Sequence, residues 1–121
     1  MEYKTITLER DGDRPLRGML ALLGEGKSGS GGNSGYSCDW TRGVNIEIYC
    51  RQSGGYAVSR HFWSRWQGES DRYEAWTADT PEAGLESLYG QERVLRDAER
   101  AAWDQACKQN PELQPLAYEE I

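Results

Sequence analysis

Few residues of this 121-residue sequence are suited to acid–base or nucleophilic chemistry. His61 is the single histidine, so a mechanism that moves protons near neutral pH would have to use it. We expect His61 instead to be a cross-strand polar residue on the outer face of a sheet, opposite Glu47 and near Thr77. Cys50 is predicted on the opposite face, and Cys107 near the C-terminal end of a helix, where the dipole raises the pKa of a thiol. The sequence therefore predicts no catalytic residue.

The residue types and spacings also argue against a metal or nucleotide site. The three cysteines form no C-x-x-C pair, and a zinc site built from them and one histidine would need distant segments. Residues 21–28, A-L-L-G-E-G-K-S, match the loosest form of the phosphate-binding loop. That loop requires a following helix, whereas residues 29–32 read G-S-G-G. We expect no metal, no cofactor and a flexible Gly/Ser-rich loop over residues 24–35.

Pairs of carboxylates are present, but each lies in a predicted turn or in the tail. They are Asp11 with Asp13, Glu69 with Asp71, and Glu119 with Glu120. Full solvation would leave the pKa of each carboxyl at its ordinary value, which does not suit a general acid.

The elements that would position these side chains are organised around residues 44–78. Three runs rich in β-branched and aromatic residues are separated by two glycine-bearing turns, which is typical of a β-meander. A three-residue S-G-G loop would set Cys50 opposite Val58, and the next turn would set Phe62 opposite Trp76 in the same way. The predicted inner face consists of Val44, Ile46, Ile48, Cys50, Val58, Phe62 and Trp76.

Two further strands and two helices complete the predicted fold. The strands cover residues 4–9, with Ile6 and Leu8 inward, and residues 16–23. A first helix begins at the capping sequence Thr80-Pro81-Glu82 and ends at Gly90. A second helix is predicted over 91–109, with an apolar face formed by Val94, Leu95, Ala98, Ala101, Ala102 and Ala106.

Taken together, these elements predict a single α+β domain over residues 1–121. Its architecture is an antiparallel β-meander of about five strands with two C-terminal helices packed on one face. An acidic tail follows over residues 111–121.

Aromatic and arginine side chains are predicted on the outer face of the sheet and off the apolar stripe of the last helix. These residue types dominate protein-binding hot spots, although the face could also be covered by the Gly-rich loop or a dimer partner, or could stack single-stranded nucleic acid. Trp103 could equally be a wedge under the tail. The residues concerned are Tyr49, Trp63, Tyr73 and Trp103, with Arg51, Arg65 and Arg72 beside the first three.

The net charge of −6 is unevenly distributed along the chain. Residues 1–66 carry nine Lys/Arg and seven Asp/Glu, whereas residues 67–121 carry five and thirteen, a balance of −8. Such an acidic half disfavours direct binding of duplex DNA and favours a basic protein or nucleoprotein partner. No apolar run is long enough for a membrane span and no signal peptide is recognisable, so we expect a cytoplasmic protein with reduced thiols.

Three segments resemble a group of small uncharacterised bacterial proteins of plasmids and integrated mobile elements. They are G-G-Y-A-V at 54–58, W-Q-G-E at 66–69 and T-I-T-L-E-R-D-G-D-R-P-L at 5–16. The resemblance covers roughly the first two-thirds of the chain, and the Gly-rich loop departs from it. It implies a mobile-element setting, in which small acidic proteins often inhibit host defence, anti-CRISPR proteins among them.

The sequence thus predicts a non-enzymatic, acidic, protein-binding inhibitor. In the form implied by the resemblance, it would be an anti-CRISPR protein that blocks a basic nucleic-acid-binding surface of a CRISPR effector complex. The alternatives are a homodimeric accessory module and a small enzyme that uses His61. The candidate contacts besides the four aromatic residues are Glu69, Asp71, Glu74, Asp79, Glu82, Glu86, Asp97, Glu99 and Asp104.

Overall fold

The α+β architecture predicted from the sequence is confirmed. A computed structural model describes residues 2–30, 42–88, 96–111 and 113. The five strands are hydrogen-bonded in sequence order in one antiparallel sheet. No helix of these segments is both long and apolar enough to cross a membrane. The elements are β1 (Lys4–Leu8), β2 (Leu16–Ser30), β3 (Arg42–Arg51), β4 (Tyr56–Ser64), β5 (Arg72–Ala78), α1 (Pro81–Leu88) and α2 (Asp97–Gln109).

The central hairpin keeps its predicted faces but not its predicted pairing. Cys50 lies opposite Tyr56 and Ile48 opposite Val58, so the prediction of Cys50 opposite Val58 is wrong by two residues. The loop has three residues, as predicted, but lies one position earlier, over 52–54, where the Arg51 amide donates a hydrogen bond to the carbonyl of Gly55 (3.0 Å). An even shift leaves every side chain on its predicted face, since facing alternates with a period of two.

The second hairpin departs further from its predicted register. Trp76 lies opposite Val58, and Phe62 lies opposite Arg72 rather than Trp76. The loop is longer than predicted because the Ser64 amide donates a hydrogen bond to the Asp71 carboxylate (3.1 Å). This side-chain bond replaces a backbone hydrogen bond between the two strands.

The same shift moves the neighbours of His61. It lies opposite Asn45 and Tyr73, so the prediction that placed it opposite Glu47 and near Thr77 is wrong. Its predicted position on the outer face is unchanged, because both shifts are even.

The predicted flexible loop over 24–35 is wrong for residues 24–30, which continue β2, and residues 31–35 lie outside the described segments. The glycines there serve packing against α2. A Cβ atom on Gly24 would lie 2.2 Å from the carbonyl oxygen of Ala102, and one on Gly26 would lie 2.0 Å from that of Ala98. Since only glycine permits so close an approach, these residues let α2 lie directly on the strand backbone.

Helix α1 begins as its sequence predicts. The Thr80 hydroxyl accepts a hydrogen bond from the Ala83 amide (3.1 Å), and Pro81 occupies the first helical position. Leu85 and Leu88 are buried against the sheet. The predicted end at Gly90 and the predicted first turns of the second helix lie outside the described residues.

Helix α2 buries a broader stripe than predicted. Ala98, Ala102 and Ala106 are buried as expected, whereas Ala101 is exposed. Trp103 was predicted off the stripe, and that is wrong: it is only 2% exposed and belongs to the main core. The glycine backbone of β2 lets α2 approach closely enough to bury the residue beside Ala102 as well.

The outer face of the sheet has a core of its own. Tyr49, only 5% exposed, packs there with Leu8, Leu20, Ala57 and Ala75. Ile6 and Leu8 of β1, which were predicted to face inward, contribute to this second core and not to the core beneath the helices. The outer face of this part of the sheet is therefore covered by the chain's own first hairpin.

This covering arises because the sheet curls back on itself. Beyond β1, the Asp11 amide donates to the Tyr73 carbonyl, and the Tyr73 amide donates to the Asp11 carboxylate (both 2.9 Å). The segment after the first strand thereby touches the last strand of the sheet.

Candidate partner-binding site

Three arginine–aromatic pairs lie at the end of the sheet where β3 begins and β4 ends. The Cζ atom of Arg72 lies 4.4 Å from the ring centre of Phe62, which indicates a cation–π contact. Two looser pairs join Arg65 to Trp63 (5.6 Å) and Arg42 to Trp66 (5.8 Å). We refer to the set as the arginine–aromatic cluster, and its members are Arg42, Phe62, Trp63, Arg65, Trp66 and Arg72.

A glycine positions one of these rings. Gly43 pairs with Trp63 across the β3–β4 ladder, and a Cβ atom at position 43 would lie 2.4 Å from Cζ2 of the indole. The ring therefore lies against bare backbone, where any larger residue would displace it.

The β4–β5 loop is held by side-chain hydrogen bonds. Arg42 donates from Nε (2.9 Å) and Nη2 (2.8 Å) to the two carboxylate oxygens of Glu69. The Ser64 hydroxyl also donates to Glu69 and accepts from the Trp66 amide (3.0 Å). The hydrogen bond from Ser64 and the pairing with Arg42 lower the pKa of Glu69 below its ordinary value. The loop that carries Trp66 is thus organised before any ligand arrives.

A hydrogen bond between His61 and Asp71 also fixes the base of this loop. His61 Nε2 lies 2.8 Å from the Asp71 carboxylate, and the imidazole stacks on Tyr73 with ring centres 4.3 Å apart. The hydrogen bonds from His61 and from the Ser64 amide lower the pKa of Asp71. The expectation that solvation leaves the pKa of these loop carboxyls at its ordinary value is therefore wrong.

Neither of the two cysteines that the structure describes, Cys50 and Cys107, pairs with His61. Cys50 lies on the opposite face of the sheet, as predicted, with its sulfur 3.5 Å from the Tyr3 hydroxyl. Burial raises the pKa of Cys107, and the nearby Asp104 adds to this effect. A raised pKa makes a thiol a poorer nucleophile near neutral pH.

The segment with phosphate-loop spacing is part of β2. Residues 21–28 are extended and paired with β3, so their amide groups do not surround a phosphate. Among the residues that the structure describes, no group of three His, Cys, Asp or Glu side chains could hold a metal ion.

A cavity of about 670 Å³ opens beside the arginine–aromatic cluster. It lies between the ends of β2, β3 and β4, the β4–β5 loop and the first residue of α2. The residues that line it include Arg42, Arg72, Phe62, Trp63 and Asp97.

Most of the acidic candidate contacts near the sheet have an arginine or the histidine beside them. Arg42 pairs with Glu69, Arg51 lies 3.8 Å from Asp79, and His61 lies beside Asp71. Arg60 lies 3.6 Å from Glu74 and 3.4 Å from Glu99. Of the acidic candidate contacts, Glu69, Glu74, Asp79 and Glu99 are therefore each paired with an arginine, and Asp71 is hydrogen-bonded to His61.

The remaining acidic candidates lie on the helices. Glu82 and Glu86 are exposed on α1, Asp97 is exposed at the start of α2, and Asp104 is partly exposed on α2. Within the described segments, no ion pair is formed by Glu82, Asp97 or Asp104.

Three of the predicted contacts are buried within the chain. Tyr49, Glu99 and Trp103 are 5%, 6% and 2% exposed, so they cannot reach a partner in this conformation. Trp63 and Tyr73 remain half-buried on the outer face. A dimer that pairs sheets through Tyr49 is not compatible with this burial.

Arg42, Phe62 and Trp66 are site residues that the sequence did not single out. Phe62 was assigned to the inner core, and the other two stand outside the alternating runs that define the strands. The available signal was the pairing of Gly43 with a tryptophan across the ladder, but reading it requires the correct register.

Comparison of the chain with protein-family models, with curated proteins and with solved structures gives no match.

Proposed function

We propose that this protein is a binding module that docks on a protein partner through the arginine–aromatic cluster. The observation that carries the proposal is the combination of exposure and order at this end of the sheet. Trp66 is 54% exposed, yet its loop is fixed by the hydrogen bonds of Glu69 and Asp71. Exposed tryptophan and arginine on a rigid loop contribute binding energy at a low entropic cost.

The carboxylates that remain exposed on α1 and α2 would assist by steering a basic partner. Their effect is on the rate of encounter more than on the affinity, because exposed charges are screened by salt. Since most acidic groups near the sheet are already compensated, we assign the affinity to the cluster and the steering to the helices.

Anti-CRISPR inhibition is the specific form of this proposal that the resemblance to mobile-element proteins suggests. In that form the partner is a CRISPR effector complex and the blocked surface is one that binds nucleic acid. The support is the acidic character of the chain and its resemblance to mobile-element proteins, together with the exposed cluster.

The test is capture of a bacterial partner by the tagged full-length protein, followed by titration of the purified partner. Trp66→Ala should weaken binding by at least about tenfold, as expected for a central hot-spot residue. Leu22→Ala is the matched control, because Leu22 is a 45% exposed apolar residue on β2 outside the cluster. The proposal is contradicted if Trp66→Ala binds the partner as tightly as Leu22→Ala does, including the case in which both bind as tightly as the native protein.

A further inference from the structure

We infer that β2 binds an extended segment of a protein partner as an added strand, along the edge over residues 25–29 that β1 leaves uncovered. This docking surface goes beyond the arginine–aromatic cluster and does not depend on it.

More than half of β2 has a strand on one side only. β1 pairs with β2 over residues 16–20, whereas β3 pairs with its other side as far as residue 30. Within the segments that the structure describes, no strand pairs with the β1 side of residues 21–30. Such a long edge presents backbone donors and acceptors to another strand.

The backbone groups on this edge can be assigned from one hydrogen bond. The Glu25 amide donates to Oε1 of Gln105 (2.7 Å), so it points away from β3. Because alternate residues of an antiparallel strand direct their backbone groups to the same side, the N–H and C=O groups of Lys27 and Gly29 also point to this edge. They have no hydrogen-bond partner among the described residues. The side-chain amide of Gln105 therefore occupies the place that a backbone carbonyl of an added strand would take.

The position of α2 favours an isolated extended segment over a second copy of this chain. The carbonyl oxygens of Ala98 and Ala102 lie directly over Gly26 and Gly24. Two copies joined by antiparallel pairing of this edge would bring their α2 helices to the same face, about 5 Å apart like neighbouring strands. Packed helices need about 8–10 Å between their axes. A segment with no helix on that face fits, and the small side chain of Ala101, exposed beside Gly26, leaves room for it.

The charges on the edge indicate which residues such a segment carries. Glu25 and Lys27 are exposed, and their side chains lie on the same face because they are two residues apart. Glu25 lies opposite Glu47 of β3, so a basic residue on its other side would offset a like-charge pair. An antiparallel segment with the sequence E-x-K would place its glutamate opposite Lys27 and its lysine opposite Glu25.

The test uses the fluorescein-labelled peptide T-V-E-V-K-V-T and the intact protein, with binding followed by fluorescence anisotropy. N-methylation of the glutamate and lysine amides should weaken binding by at least about tenfold, because these amides donate to the backbone of β2. N-methylation of the two valines that flank the lysine should leave the affinity within about twofold, because their amides point away from β2.

A variant of the protein tests the same edge. Gln105→Ala should tighten peptide binding by about fivefold, because the Glu25 amide then lacks its internal acceptor. Gln109→Ala is the matched control, an exposed glutamine of the same helix, and should leave the affinity unchanged.

The inference is overturned if the native protein does not bind the peptide, if the two methylated peptides bind equally, or if Gln105→Ala does not tighten binding. A dimer in light scattering that dissociates on addition of the peptide would assign the edge to a second copy instead. None of these outcomes involves Trp66, so the inference can fail while the proposed function, which Trp66→Ala tests, still holds.

Discussion

Arg60 connects the sheet to α2 through two carboxylates that differ greatly in exposure. The side chains of Glu99 and Glu74 are 8% and 46% exposed, and Arg60 itself is 16% exposed. The guanidinium also lies 5.3 Å from the ring centre of Trp76. Because the inner pair is largely desolvated, removal of its carboxylate leaves a buried cation with half of its partners.

We therefore expect Glu99→Ala to lower the free energy of unfolding by about 2–3 kcal/mol. Glu74→Ala removes the exposed partner of the same guanidinium and should cost less than about 1 kcal/mol. Urea denaturation of both variants measures the difference. Equal losses would show that burial of Glu99 does not govern the strength of its pairing with Arg60.

Residue-level chemistry was predictable where it is local in sequence. The Thr80 cap depends on neighbouring residues and was predicted correctly. The pairing of Arg60 with Glu99 joins residues 39 positions apart, so it depends on how α2 lies on the sheet. The sequence assigned Glu99 to the surface because glutamate is rarely buried unless it is paired.

At the scale of elements, the contact between β2 and α2 depends on glycine opposite alanine. Gly24 and Gly26 lie beneath a helix whose facing residues include Ala98, Ala102 and Ala106. The Gln105 side chain accepts a further hydrogen bond from the backbone of β2, at the amide between the two glycines (2.7 Å). This packing places the helix directly on the backbone of the strand.

Gly26→Ala should destabilise the protein by at least about 2 kcal/mol, because its Cβ would overlap the backbone of α2. Gly18→Ala is the control in the same strand, where a Cβ has nothing within 4 Å. That change should leave stability within about 1 kcal/mol of the native value, on the stabilising side. Thermal unfolding followed by circular dichroism compares the two. A well-tolerated Gly26→Ala would contradict the close helix–strand contact.

The elements themselves were largely predictable, and the error over residues 24–30 has a clear origin. Composition does not distinguish a glycine that frees the backbone from one that makes room for a helix. The distinguishing pattern was present, since G-x-G in one segment matches alanines spaced by four in another. Reading it requires knowing which elements pack together. The register of the second hairpin failed for a related reason, because the side-chain hydrogen bonds of Asp71 and Glu69 set the length of its loop.

At the scale of the whole molecule, the curl of the sheet places the segment after its first strand against its last strand. The contact consists of two hydrogen bonds between Asp11 and Tyr73, one of them to a carboxylate. It holds the first hairpin over the core around Tyr49. The division of the sequence into a basic and an acidic half does not correspond to two faces of the fold, because β-strand arginines compensate acidic residues from the second half.

Asp11→Ala should speed hydrogen exchange at the Tyr73 amide by about tenfold, because that amide loses its charged acceptor. Asp13→Ala is the matched control, since the Asp13 carboxylate bonds to the Arg14 amide (2.7 Å) and pairs with Arg10. Nuclear magnetic resonance of the two variants in deuterium oxide makes the comparison. Unchanged exchange in Asp11→Ala would mean that the side chain does not close the curl.

The turn between β3 and β4 is a suitable attachment site for a label or tag. Gly54 has a positive φ of 108°, and a Cβ there would have nothing within 4 Å. The ten residues of β3 separate this turn from the arginine–aromatic cluster by about 30 Å. A fluorophore or affinity tag inserted at the tip would therefore report on or immobilise the protein with the docking end facing away from the support.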